Sequence, residues 1–192
     1  YNTVEKAVVD SIPYTTPWRD AAVSADGQHL MLTTRVSPND TFIVYDIQTM
    51  QRIKSILGEG YIEVSYTGAY IALLDDEGLV FLDGQTYDIL FDDPIYCPQG
   101  RFLPDDSRFY TYTDPRHIRI YDMIGESLYV DLEYMLPPYS PPIIYSIQPS
   151  RDGCSVFMII SFGSEIWKYL ISYNIELDST AMFYPISFGG AG

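Results

Sequence analysis

One short turn recurs along this chain, and its spacing narrows the fold more than any other feature. Ser24-Ala25-Asp26-Gly27 places an acid before a glycine, which takes positive φ at no steric cost. The turn returns as Tyr66-Thr67-Gly68, as Pro104-Asp105-Asp106-Ser107 and as Ser150-Arg151-Asp152-Gly153. Gly27 to Gly68 is 41 residues, Gly68 to Ser107 is 39, and Ser107 to Gly153 is 46. A second mark, an aromatic residue or Leu before an acid or amide, falls at Tyr45-Asp46, Leu82-Asp83, Tyr121-Asp122 and Tyr173-Asn174, with steps of 37, 39 and 52. Two independent marks keep nearly one period until the fourth unit, where the strands lengthen. The stretches between them read as strands. In the first unit these are 21–23, 29–35, the β-branched and aromatic run 41–45, and 51–56, where Arg52 and Lys54 alternate with Ile53 and Ser55. A period of roughly 40–45 residues with four strands each is the sign of propeller blades. The chain therefore reads as all-β: a β-propeller of four-stranded antiparallel blades, about four of them, over 13–56, 57–91, 92–132 and 133–186.

Certain residues of the first unit carry a family resemblance. Pro17, Ala22-Val23-Ser24-Ala25-Asp26-Gly27, the apolar strand 30–34 and Thr41-Phe42-Ile43-Val44-Tyr45-Asp46 resemble the YVTN-type bacterial and archaeal β-propeller repeats, relatives of the WD-repeat and NHL propellers. The resemblance covers most of 8–186, strongest in the first unit and weakest in the fourth. The Trp-Asp and Gly-His marks of the true WD repeat are missing. The shared motif is structural, so the resemblance implies a fold and no catalytic residue.

Charge narrows the partners. The chain has 11 basic and 26 acidic residues, net −15. That field repels phosphate backbones and anionic membranes, which argues against nucleic acid. No apolar run approaches the ~18 residues a membrane helix needs, so no membrane insertion is expected. The first residue is Tyr, not Met, which suggests a processed or excised piece. Few Lys, many Tyr, Ser and Thr, and the YVTN-like repeat point to an extracellular, periplasmic or cell-surface protein.

Closure is the open question of the fold. Residues 7–12 resemble the outermost strand of a unit, yet the fourth unit already has its own in 181–186. The extra strand finds no vacancy, so the chain reads as a segment of a larger propeller, or as a half-ring completed by another copy or chain. The second unit is the most regular, with strands expected over 61–65, 70–74, 78–82 and 87–91 and with Ile62, Val64, Ile71, Leu73, Val80 and Leu82 expected to be buried. The stretch 167–175 could pass for a helix by content, but Trp167, Tyr169, Ile171, Tyr173 and Ile175 recur with period two.

Strands that alternate in direction sort the loops onto two faces. The upper face holds the blade-to-blade connections and the loops between second and third strands. It gathers Tyr14, Trp18, Tyr61, Tyr96 and Tyr139, with Asp76 and Asp93 among its acids. Aromatic rings beside carboxylates suit a protein, a peptide or a glycan. The competing reading is that Pro-Tyr loops stiffen the connections while the acids sit in turns. No catalytic, cofactor or metal residue is expected. The pairs Asp75-Asp76, Asp92-Asp93 and Asp105-Asp106 point apart, because adjacent residues in a strand or turn do. His29 and His117 fall on opposite faces, and no calcium loop, nucleophile elbow or phosphate loop is present. Cys97 and Cys154 also fall on opposite faces. A strand spans ~17–20 Å, too far for a disulfide between them. The resulting reading is a non-catalytic binding or scaffold module. A segment of a lactonase-like or quinoprotein-dehydrogenase-like propeller enzyme and a self-assembling structural subunit stay open as alternatives.

Overall fold

The computed structural model describes residues 17–35, 41–58, 60–75, 78–114, 117–133, 142–162, 168–175 and 179–186. They form four four-stranded antiparallel sheets. The first contains β1 (Trp18–Val23), β2 (His29–Thr34), β3 (Thr41–Asp46) and β4 (Arg52–Leu57). The second contains β5 (Tyr61–Val64), β6 (Tyr70–Leu74), β7 (Leu79–Asp83) and β8 (Ile89–Asp93). The third contains β9 (Gly100–Phe102), β10 (Arg108–Asp114), β11 (His117–Asp122) and β12 (Ser127–Glu133). The fourth contains β13 (Pro142–Pro149), β14 (Ser155–Phe162), β15 (Lys168–Asn174) and β16 (Ser179–Ile186). Within each sheet the strands pair in chain order. The first strands β1, β5, β9 and β13 pack side by side along the inner edge of the array.

The period-two reading of the last unit holds, since β15 is a strand paired with β14 on one side and β16 on the other. Both its edges are filled by these strands; residues 7–12 lie outside the described ones.

Buried apolar side chains among the described residues form three clusters, one at each junction between successive blades. Met31, Phe42 and Val44 of the first blade meet Ile62, Ile71, Leu73, Leu82 and Tyr87 of the second. Val64 and Val80, expected in full burial, are partly buried in this cluster. The second blade also buries its other face. Ala72, Leu74, Leu79 and Phe81 meet Phe102, Phe109, Tyr121 and Met123 of the third. Phe81 centres this junction: its ring lies 4.5 Å from Phe91, 5.0 Å from Phe109 and 5.3 Å from Tyr121. Gly100 is obligatory beside it, because a Cβ there would come within 2.1 Å of the Phe109 ring. At the third junction Tyr110, Tyr112, Ile118 and Ile120 meet Ile144, Val156, Met158 and Ile160. The continuous apolar run of β6, Tyr-Ile-Ala-Leu-Leu, is the sequence form of a strand buried on both faces.

The recurring turn serves these junctions. Its left-handed residue is Gly27, Gly68 and Gly153 in the first, second and fourth blades, with φ of 73°, 78° and 71°. In the third blade that residue is Asp106, φ 58°, and not Ser107. The same hydrogen bond marks all four: the amides of Gly27, Gly68, Asp106 and Gly153 donate to the carbonyls of Ser24, Ser65, Leu103 and Ser150. Aspartate is among the non-glycine residues that tolerate this region. It also contributes something glycine cannot. The buried Asp106 carboxylate accepts the amides of Tyr66 (2.8 Å) and Thr67 (2.9 Å) and the Thr67 hydroxyl, so it clasps the third blade to the turn of the second. Gly68 lies against Ala25, and Gly153 lies against Tyr110 and Leu103, in the same order along the array.

The second mark is a turn cap. Asp46 accepts Thr49 through amide and hydroxyl, Asp83 accepts the amides of Gln85 and Thr86, and Asp122 accepts those of Ile124 and Gly125. Four residues after each comes a left-handed residue: Met50, Tyr87 and Glu126. Tyr87 is therefore in a turn, and not at the head of the outer strand as expected; β8 starts at Ile89. The turn sends its ring inward, 3% exposed, with its hydroxyl 2.7 Å from His29 Nδ1 of the first blade.

Two outcomes follow from these turns. Asp106→Ala strands two amides and forces a Cβ residue without a polar side chain into the left-handed region, so it should lower unfolding free energy by about 2–4 kcal/mol. Asp106→Asn keeps one acceptor and should cost about 1 kcal/mol; urea unfolding measures both, and equal losses would contradict the clasp. Hydrogen bonds from Ser24 to Asp26, from Thr49 to Asp46, from Thr86 to Asp83 and from Ser150 to Asp152 hold these carboxyls below their ordinary 3.8. Folded values below unfolded ones add stability that is complete above 3.8 and is lost as pH falls through the folded values. Burial raises Glu63 and so works in the opposite sense, but it is one group against six, since Asp88 and Asp105 are lowered as well. The melting temperature should hold level from about pH 7 to about pH 5 and drop below about pH 3.8, with a pH-independent melt the contrary result.

Candidate binding face

Three of the residues expected on the upper face, Tyr14, Asp76 and Tyr139, lie outside the described residues. The others take different places along the radius of the blades. Trp18 opens β1 and Tyr61 opens β5, so both stand at the inner rim. Asp93 closes β8 at the outer rim. The registers Tyr61–Leu74, Leu74–Leu79 and Leu79–Asp93 place these four in one row across the second blade. Three strand spacings separate its ends, roughly 14 Å, so Tyr61 and Asp93 do not share a contact zone. Tyr96 stands in the connection between the second and third blades. Its neighbour Cys97 is buried and donates its amide to the Asp75 carbonyl.

The rings at this face are open to solvent: Trp18 is 37% exposed, Tyr61 52% and Tyr96 48%. The Arg19 guanidinium lies over the Tyr61 ring, 5.3 Å from its centre, in cation–π geometry. Behind them the inner strands carry charge that the reading of the loops missed. Asp20 accepts the Ile62 amide at 2.8 Å, tying the first blade to the second. Glu63 pairs with Arg101, tying the second to the third. The signal was there as a charged residue in three successive first strands, Trp-Arg-Asp, Tyr-Ile-Glu and Gly-Arg-Phe.

The acids of this face divide into structural and exposed groups. The Asp93 carboxylate accepts Arg119 and the Tyr121 hydroxyl, each at 2.9 Å, and Arg119 reaches on to Asp131 at 2.9 Å. Burial first, and then the Asp93 carboxylate, push the Tyr121 phenol upward. Asp93 is thus a strut between the second and third blades. Asp75 caps its own turn through the Gly78 amide, while Asp92 points to solvent. The adjacent Asp105 and Asp106 do point apart, the first to Ser107 and the second to the neighbouring blade.

The remaining reactive groups are engaged in structure. Neither Cys97 nor Cys154 is in a disulfide. The Cys97 sulfur lies 2.9 Å from the Thr111 hydroxyl, and burial pushes its thiol up to about 12, which keeps it from acting as a nucleophile near neutrality. Among the described residues no three His, Cys, Asp or Glu side chains converge in a metal-holding group. No helix among them is long and apolar enough to cross a membrane.

No protein-family profile and no curated protein sequence matches the chain. Solved structures do. The chain is similar to Kuenenia stuttgartiensis hydrazine synthase, with 14% identity and a TM-score of 0.67 over 93% of this chain and 52% of that one. It is similar to the Cps50 (Swd1) β-propeller domain of Myceliophteria thermophila, with 14% identity and a TM-score of 0.70 over 94% of this chain and 58% of that one. It is similar to U3-55K, with 12% identity and a TM-score of 0.64 over 90% of this chain and 53% of that one. At such identities the likeness concerns the fold. The chain spans about half the length of these structures. Its four sheets are blades of a β-propeller of the WD40-like kind.

Proposed function

We propose that this chain is a non-catalytic binding module, a YVTN-like propeller segment of an exported protein, that takes a protein, a peptide or a glycan on its upper face. The observation that carries this reading is the inner rim, where the Arg19 guanidinium lies over the exposed Tyr61 ring and Trp18, exposed as well, opens the adjacent strand, outside the three buried clusters. Tyr96 extends the surface toward the third blade. Aromatic rings with a polar edge supply much contact area at low entropic cost, and such anchors carry most of the energy in many interfaces. The inter-blade ties at Asp20–Ile62 and Glu63–Arg101 keep this rim rigid, which limits the ordering cost of binding.

A peptide library and a glycan array are the probes, with hits quantified by calorimetry. Trp18→Ala, Tyr61→Ala or Tyr96→Ala should each weaken a hit by about tenfold or more, and melting should change little because these rings are outside the three clusters. A hit weakened only by a lower-face change such as Arg151→Ala would refute the placement.

A further inference from the structure

The junction between the third and fourth blades differs from the other two at the lower face. There Asp105, Asp122 and Asp152 line a pocket of about 340 Å³ together with Leu103, Arg108 and Tyr129. The counterpart positions at the first junction are Asp26, Asp46 and Thr67, and at the second Thr67, Asp83 and Asp105, so each of those has two acids where the third has three. The outer strands differ as well. Each of β4, β8 and β12 has a bulge at one place, which sets Ile53, Leu90 and Tyr129 out of register. A bulge re-aims its side chain, and of these three only Tyr129 is aromatic. The Arg108 guanidinium lies over its ring, 4.7 Å from the centre, and is hydrogen-bonded to the Tyr110 hydroxyl. The ring keeps 54% of its surface exposed. Ile124, in the turn that Asp122 caps, is 80% exposed, and Leu128, next to Tyr129 in β12, is 42% exposed.

We propose that this pocket is a second binding site, taking a lysine or arginine side chain from a basic segment of a partner protein, with an adjacent apolar residue of that segment on Ile124 and Leu128. Charge complementarity names the occupant. The pocket sets three carboxylates against one guanidinium, and that guanidinium is engaged by two tyrosines. None of the ion pairs among the described residues uses Asp105, Asp122 or Asp152. Each carboxylate is held in place by hydrogen bonds that end on Oδ1: Ser107 on Asp105, Ile124 and Gly125 on Asp122, Ser150 and Cys154 on Asp152. Oδ2 of each takes none of these bonds and can meet a donor from outside. The bonds from Ser107 and Ser150 hold Asp105 and Asp152 below their ordinary 3.8, so both are charged near neutrality. The Tyr129 ring already receives one guanidinium, which is the contact a second cation would use. The volume is at the small end of the ~300–1,000 Å³ of ligand pockets, enough for one long side chain and not for a folded element. The apolar lip separates a peptide from a simple polyamine, because Ile124 and Leu128 have nothing to gain from the latter. The net −15 of the chain draws a basic segment toward this face.

Fluorescence anisotropy with labelled Gly/Ser peptides that carry one Lys-Leu or Arg-Leu pair tests this on the intact chain. Saturable binding is expected, weakened about tenfold or more when Gln replaces the basic residue and severalfold when Ser replaces Leu. Tyr129→Ala should weaken it about tenfold. Asp152→Asn removes a charge but keeps the turn-capping oxygen, and it should weaken binding severalfold with little change in melting. Asp26→Asn makes the same change in the turn of the first blade and should leave binding as it was. Trp18→Ala should also leave it unchanged, since this site is separate from the upper face and uses a different probe. Raising salt from about 0.05 to about 0.5 M should weaken binding. No saturation below about 1 mM would overturn the proposal. Equal losses from Asp26→Asn and Asp152→Asn would show diffuse attraction to an acidic surface and overturn it too. Spermidine binding as tightly as the Lys-Leu peptide would make the pocket a polyamine site and overturn the peptide assignment.

Discussion

Everything in this structure depends on sheets that are apolar on both faces. A lone four-stranded sheet of this composition would leave one or both faces in water. The second blade shows the consequence most clearly: Ile71 and Leu73 point into one junction, while Ala72 and Leu74, their immediate neighbours in β6, point into the next. Burial on that scale needs a blade on each side. Stacking is then not a choice of arrangement but the only way such sheets escape water. The inner blades are stabilised by their neighbours, and the end blades carry the cost.

Apolar stacking is non-directional, so register between blades must come from polar contacts. The lower-face turns and the inner strands provide them. Asp106 reaches the turn before it, Tyr87 reaches His29, Asp20 reaches the Ile62 amide, and Asp93 collects Arg119 and Tyr121. Each tie joins a residue of one blade to a residue of the next. Many of the chain's acids are spent in this way or in capping turns. The strong negative charge is thus partly a record of turn chemistry. At the upper face the division is different: the acids at the rim are mostly struts, and the rings of Trp18, Tyr61 and Tyr96 are what solvent meets.

Local rules were legible in the residues. A turn before a glycine, an acid at the end of the third strand and alternating apolar runs are properties of a few consecutive residues. They give the strand order, the period and the strand character of 168–174, which a count of apolar residues would have assigned to a helix. The same locality explains the errors. Ser107 looked like the counterpart of Gly27 because it closes the same motif, yet the left-handed residue is Asp106. Tyr87 looked like strand because tyrosine favours strands, yet its turn is set by the cap four residues earlier and its ring by a pocket in the first blade.

By itself, then, the sequence determined the class of fold, the number of sheets and the two faces on which loops fall, since these rest on period and turn geometry within each blade. Only the tertiary structure decided which acids are committed, and to what. Asp93 and Asp76 look alike along the chain; whether such an acid faces a ligand or an arginine depends on the blade beside it. The tertiary structure also decided that Arg19 lies over Tyr61 while Asp93 stands a blade's width away. Those distances follow from strand pairing and blade docking, interactions between residues tens of positions apart that no local pattern encodes.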